Sequence, residues 1–341
     1  MFLIDTHAHL VPRKFLPLPP DLDPRGWPSM EPLEDGRARM MIDGQQFRVI
    51  ERAYFDPAAR LKWMDQHGIA LQVVSPLPEL LGHWLAVDTA CELAIFTNHT
   101  IAELVKTNSG RFAGLGMLPL QDVDRSVNIV ASLAEVGLRG IEVGSNVGGR
   151  SIADPVYDRV FAELARHDLA VFVHGSRPAG SERFLGPPIM NNVIGVPQDC
   201  AAAIASFIAT DVLARHPKLR LGFAHGGGMF GAVLDRMDFV WREFPALRNS
   251  SKVSPREYVR KFYFDTITYG ASYLRYLIEN FGIDTLVCGT DGPAIGAQSE
   301  LDMLVNDVCG GSAEAAEKIR WRNAARFLGL TGIVGVQGPG N

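Results

Sequence analysis

The sequence predicts an α/β protein, a (β/α)8 or TIM barrel, on three observations. Eight short apolar runs recur along the chain, at 2–5, 69–74, 112–117, 138–143, 169–174, 219–224, 261–265 and 284–289. Most of the gaps between them carry helical periodicity, and strands that alternate with helices build parallel βαβ units. Eight such units are the number that closes a barrel. The first, fifth, sixth and eighth runs end on residues that bind metals or move protons: His7 and His9, His174, His225, and Asp291.

The first run, Phe2-Leu3-Ile4-Asp5, leads into Thr6-His7-Ala8-His9. Successive strand side chains point to opposite faces, so His7 and His9 share one face. Residues 10–50 then break the alternation with a proline-rich stretch containing Pro12, Pro17, Pro19, Pro20, Pro24, Pro28 and Pro32. Two strand-like runs follow within 37–49, and Asp43-Gly44 between them is a hairpin signal. The segment reads as an insertion after the first strand that covers the barrel mouth.

Helical patterns then run over Pro57–His67, Val87–Thr107 and Asp154–His167 among the next runs. The loop from Gly175 to Gly195, rich in Gly with Pro187-Pro188, follows the fifth strand and is expected to shape the site. Further patterns cover Pro197–His216, Met229–Arg242, Ala271–Asn280 and Leu301–Val308. The organisation is therefore one barrel domain over 1–330 with a peripheral tail at 331–341.

Composition narrows the function. The chain has 341 residues, 47% hydrophobic and 21% charged, an ordinary globular balance. A net charge of -5 without a basic run argues against nucleic-acid binding, which needs clustered Lys and Arg. No run approaches the roughly 18 uninterrupted apolar residues of a membrane span. Cys91, Cys200, Cys288 and Cys309 lie far apart without a CxxC pair, the pattern of a reduced, cytoplasmic chain. The partner this leaves is a small molecule or a second copy of the chain.

Barrel active sites form at the C-terminal ends of the strands, so the four terminating positions converge on one pocket. Their nitrogen and oxygen donors suit a zinc-like ion with an open coordination position. A single histidine closing a strand is ordinarily a hydrogen-bonded structural residue. The same placement at four barrel positions favours a shared site. Asp265, ending the seventh run, is placed to orient one of the histidines.

Asp-Thr-His-Ala-His at 5–9, Val-His at 173–174, Ala-His-Gly-Gly-Gly at 224–228 and Gly-Thr-Asp at 289–291 resemble the metal-dependent amidohydrolase superfamily over nearly the whole chain. The resemblance is greatest to the branch of 2-amino-3-carboxymuconate 6-semialdehyde, γ-resorcylate and 5-carboxyvanillate decarboxylases. It implies that His7, His9, His174 and Asp291 bind one zinc ion, or Mn2+ as in some relatives, with His225 as acid/base beside the metal and its water. Asp291 is then a ligand or a proton carrier. Binuclear members carry a lysine at the end of strand four, where this chain has Gly140-Ile141-Glu142-Val143-Gly144, which favours a single metal. Glu142 is either an additional ligand or a strand glutamate bonded to its neighbours.

The resemblance also implies that Arg48 binds the substrate carboxylate. Arg236 matches an arginine that the branch lends to the neighbouring subunit, and so implies a homodimer; without the resemblance it reads as a helix-surface ion pair with Asp235 or Asp238. A guanidinium fork fixes a carboxylate at two points. The implied activity is non-oxidative decarboxylation of an aromatic or muconate-type acid in aromatic catabolism. The alternative is hydrolysis of a C–C bond, lactone or amide on the same metal site. Gly175-Ser176 and Gly289-Thr290-Asp291-Gly292-Pro293 depart from the branch, which has bulky residues there, and this leaves the substrate open.

Overall fold

The computed structural model describes residues 2–293 and 300–330, so the tail expected at 331–341 lies outside the described residues. All eight runs are strands: β1 (Ile4–Leu10), β2 (Leu71–Pro76), β3 (Phe112–Gly116), β4 (Gly140–Gly144), β5 (Ala170–His174), β6 (Leu221–Phe223), β7 (Tyr263–Asp265) and β8 (Leu286–Val287). They form one sheet in chain order, and every neighbouring pair is parallel. The sheet closes on itself. The Thr6 N–H donates to the Cys288 carbonyl at 2.8 Å, the Asp291 N–H donates to the His7 carbonyl at 2.9 Å, and Ala8 pairs with Gly292. The fold is the (β/α)8 barrel.

Helices pack around this sheet at Pro57–Gln66, Val87–Thr107, Asp158–Arg166, Val196–Ala209, Phe230–Glu243, Ala271–Phe281 and Leu301–Val308. The first starts where Asp56 accepts from the Ala59 N–H and Pro57 supplies the helical φ. Another helix, Val123–Glu135, is not among the patterns drawn from the sequence; Asp122 caps it and Ser126, Val130 and Leu133 face the core. The helical stretch Asn191–Ala209 reaches the length and mean hydropathy, 1.3, of a membrane span where the sequence predicts none. Within it Cys200, Ala203, Ile204, Phe207 and Ile208 are buried in the protein.

The two-residue strand period divides the barrel interior into an apolar floor and a polar top. On β5 the inward row reads Ala170, Phe172, His174, and on β2 it reads Leu71, Val73, Ser75. The floor joins these apolar residues to Leu115, Ala224 and Val287, plugged by Phe327 of the C-terminal helix Asn323–Leu328. The apolar floor leaves the polar row at the C-terminal ends as the inward-facing chemistry of the described residues.

The insertion contains a three-stranded antiparallel sheet, Pro28–Pro32, Ala38–Ile42 and Gln45–Ile50. Asp43 and Gly44 both take positive φ between the last two strands, as a type I′ turn requires. Met40 and Ile50 pack with Val11, Leu77 and Met117, which directly follow the ends of β1, β2 and β3. The insertion is therefore seated on the C-terminal rim of the barrel, beside the polar row.

Candidate metal centre and active site

Three buried histidines, His7, His9 and His174, bring donor atoms within 4.8 Å of one another. The Nε2 atoms of His7 and His9 are 3.1 Å apart, and those of His174 and His225 are 3.2 Å apart. Two nitrogens held by one ion at roughly 2.0–2.1 Å in a tetrahedron stand about 3.3 Å apart, so the His7–His9 spacing fits a shared ion, and His225 abuts the ligand His174. Asp291 Oδ1 lies 3.3 Å from His9 Nε2 and 3.9 Å from His7 Nε2.

Each ligand ring is oriented from behind. His7 Nδ1 is 2.6 Å from Asp265 Oδ2, His9 Nδ1 is 3.1 Å from the Pro76 carbonyl, and His174 Nδ1 is 2.8 Å from the Gly175 carbonyl. Donation of each Nδ1–H outward leaves the Nε2 lone pair facing the centre, the tautomer a metal needs. Burial alone would lower the pKa of His7, but the hydrogen bond and charge of Asp265, with Asp291 and Glu142, raise it to about 9. The interaction that holds that proton also makes the ring a stronger ligand. Burial and the neighbouring imidazoles keep His174 neutral, well below its usual range. Burial opposes ionisation of Asp291, yet its hydrogen bond to His9 and the charges of His7, His9 and His225 hold it ionised.

Glu142 is fully buried on β4, with Oε2 3.8 Å from His9 Nδ1; neither oxygen makes a well-aligned hydrogen bond, and Ser75 is the hydroxyl near enough to act on the carboxylate. Burial pushes its pKa up against the pull of His9 and His7.

His225 lies outside the row of buried ligands and is partly open to solvent. Its φ is +55°, a strained value for a side chain of this size, and the backbone is held there by Asp265, which accepts the N–H groups of His225 and Gly226 at 2.9 Å each. Gly228 makes the turn possible. It adopts φ 60°, ψ −127°, and a Cβ there would lie 2.1 Å from the Pro197 carbonyl oxygen. On the other side, Asp5 accepts from Gln72 at 2.8 Å and from the Thr290 N–H and hydroxyl at 3.0 and 2.6 Å, tying the His7 strand to the Asp291 loop.

The two arginines are placed differently. Arg48 is in the rim sheet, 3.7 Å from Glu79 Oε1. Burial and then the charge of Asp291 push the Tyr54 hydroxyl up, while Arg48 pulls it back, so Arg48 and Asp291 act on the same buried phenol. Arg236 is exposed on the helix Phe230–Glu243. Asp235 pairs with Arg256, and Asp238 with Arg242 and Arg256, so the helix-surface pairing read from the sequence does not form; among the described residues Arg236 makes no ion pair.

A family model for amidohydrolases matches residues 4–330. The chain belongs to the amidohydrolase family. A 2-amino-3-carboxymuconate-6-semialdehyde decarboxylase of Dictyostelium discoideum is 32% identical over 96% of this chain and 91% of its own length. The 5-carboxyvanillate decarboxylase of Sphingomonas paucimobilis shares the fold at a TM-score of 0.81 and 21% identity, covering 96% of this chain and 99% of that one. A dihydroxybenzoic acid decarboxylase of Polaromonas sp. JS666, solved with bound manganese and the inhibitor 2-nitroresorcinol, shares the fold at a TM-score of 0.70 and 21% identity, covering 82% of this chain and 88% of that one. In this amidohydrolase the donor set of three imidazoles and one carboxylate fits a divalent ion. Sequence reasoning did not find His83, which lies in the loop after β2 with no periodicity around it, and whose side chain is buried at 5% exposure.

Proposed function

We propose that this amidohydrolase is a metal-dependent, non-oxidative decarboxylase of an aromatic or muconate-type carboxylic acid. The observation that carries the reading is His225, partly open beside a buried three-histidine cluster, in a chain that matches a named decarboxylase over nearly its whole length. His7, His9, His174 and Asp291 would hold one zinc or manganese ion. When bound, the ion supplies Lewis acidity and lowers the pKa of a coordinated water.

Decarboxylation breaks a C–C bond, leaves its electron pair on carbon and replaces CO2 by a proton. The chain must therefore fix the carboxylate and manage one proton. Arg48 binds the acid at the rim, and Arg236 of a second copy does so from across a dimer interface. The exposed Val233, Phe239 and Phe244 on and beside the Arg236 helix supply apolar surface for that contact. Burial keeps the His225 imidazole below its usual pKa, so it enters the cycle neutral, takes a proton from solvent and delivers it to the carbon that CO2 leaves. Asp265 fixes the backbone of His225 and the ring of His7 together, which keeps proton carrier and ligand in register.

Metal content measured together with CO2 release, against hydroxylated benzoates and carboxymuconate semialdehydes, tests the proposal. One ion per chain with CO2 evolved supports it. One ion with hydrolysis of an ester, amide or C–C bond and no CO2 moves the protein to the hydrolases.

A further inference from the structure

His83 is buried at the top of the barrel, and neither Nδ1 nor Nε2 makes a well-aligned hydrogen bond; the Asn146 backbone is the group near enough to act on the ring. Every other imidazole of the centre has its back nitrogen or its main chain fixed, as described above for His7, His9, His174 and His225. Native proteins satisfy nearly all buried polar atoms, so a buried ring held by no more than a poorly aligned backbone contact is unusual and is best explained by a group that arrives later.

Its position says where that group binds. Nδ1 lies 3.2 Å from the place a Cβ on Gly144 would occupy. Gly144 ends β4 and is in register with the metal ligand His174 on β5. It lies two residues beyond Glu142, and so on the same inward row. Glycine at 144 leaves the space that the His83 ring enters, level with the ligand His174. A side chain there would press on His83, on Ser176 Cβ and on the Asn146 carbonyl, all at 3.1–3.2 Å.

Burial lowers the pKa of His83 to about 4, with only the Asn146 backbone opposing it, so the ring is neutral at ordinary pH. A neutral imidazole offers one donor and one acceptor. It is suited to a hydroxyl or amine, and poorly suited to a second carboxylate, which needs donors alone.

We propose that His83 is a substrate-contacting residue whose imidazole hydrogen-bonds a hydroxyl or amino substituent of the acid bound at the metal centre. The nature of that acid rests on the decarboxylase reading; the contact itself is tested without turnover. Binding of benzoate and of its hydroxy- and amino-substituted forms to the metal-loaded protein would be measured by calorimetry, for the unaltered chain, His83→Leu and His83→Asn, with metal content and thermal midpoint alongside.

The expected result is that the unaltered protein prefers a substituted acid to benzoate. His83→Leu should reduce that preference by roughly tenfold to a hundredfold with benzoate binding and metal content unchanged, and His83→Asn should restore part of it. The proposal is overturned if the unaltered protein shows no preference, if His83→Leu weakens all acids equally, or if the preference survives. Should the leucine variant fail to fold, a full preference retained by His83→Asn overturns it as well. If the preference depends on His83 and no acid releases CO2, the contact stands and the decarboxylase reading falls.

Discussion

Asp265 holds His225 and His7 through one carboxylate: Oδ2 accepts the His225 N–H at 2.9 Å and lies 2.6 Å from His7 Nδ1. The strained backbone of His225, the proposed proton carrier, and the tautomer of His7, a proposed metal ligand, thus share a single support. Asp265→Asn keeps the size but removes the charge. It should weaken metal affinity by roughly tenfold to a hundredfold, read by competition with a chelator. Affinity equal to that of the unaltered chain would show that the Asp265 contact does not tune the ligand.

His225→Asn should lower turnover by roughly a hundredfold to ten-thousandfold while the metal content stays at the unaltered level. His225 is set apart from the buried trio, so metal binding and proton transfer should separate in this variant. Retained full activity would remove His225 from the reaction.

Arg48→Ala should raise KM for an acidic substrate by roughly tenfold or more with a smaller effect on kcat, because a charged hydrogen bond to the carboxylate is lost. The rim sheet packs through Met40 and Ile50, so the variant should fold. An unchanged KM would mean that the insertion does not reach the substrate.

Arg236→Ala and His225→Asn chains, each inactive alone, should regain activity when mixed and reassociated, since one interface site of the heterodimer then carries both groups intact. Absence of recovery, with mixed dimers demonstrated, would assign both residues to the same subunit's site.

Gly228→Ala should destabilise the fold by about 1–3 kcal/mol in denaturant unfolding. The added methyl meets the Pro197 carbonyl oxygen at 2.1 Å, and φ of 60° with ψ of −127° disfavours any side chain. Activity should fall with stability because the same turn aims His225. A neutral effect on both would show that the loop relaxes without cost.

Local pattern determined much of this protein. The period of two puts His7 and His9 on one face whatever they face, and eight apolar runs alternating with helices leave few architectures other than a closed parallel barrel. Asp-Gly at 43–44 gave the hairpin turn for a similarly local reason. Tertiary structure decided what no window of sequence contains. His174 and His225 meet although 51 residues separate them, and Asp265 reaches His7 across 258. The strand Pro28–Pro32 lies within a proline-rich stretch and forms only because Ala38–Ile42 offers it an edge. The poorly satisfied ring of His83 and carboxylate of Glu142 are also tertiary facts. Composition tells which groups a chain carries, but whether a buried polar atom finds a partner depends on the register in which distant strands close.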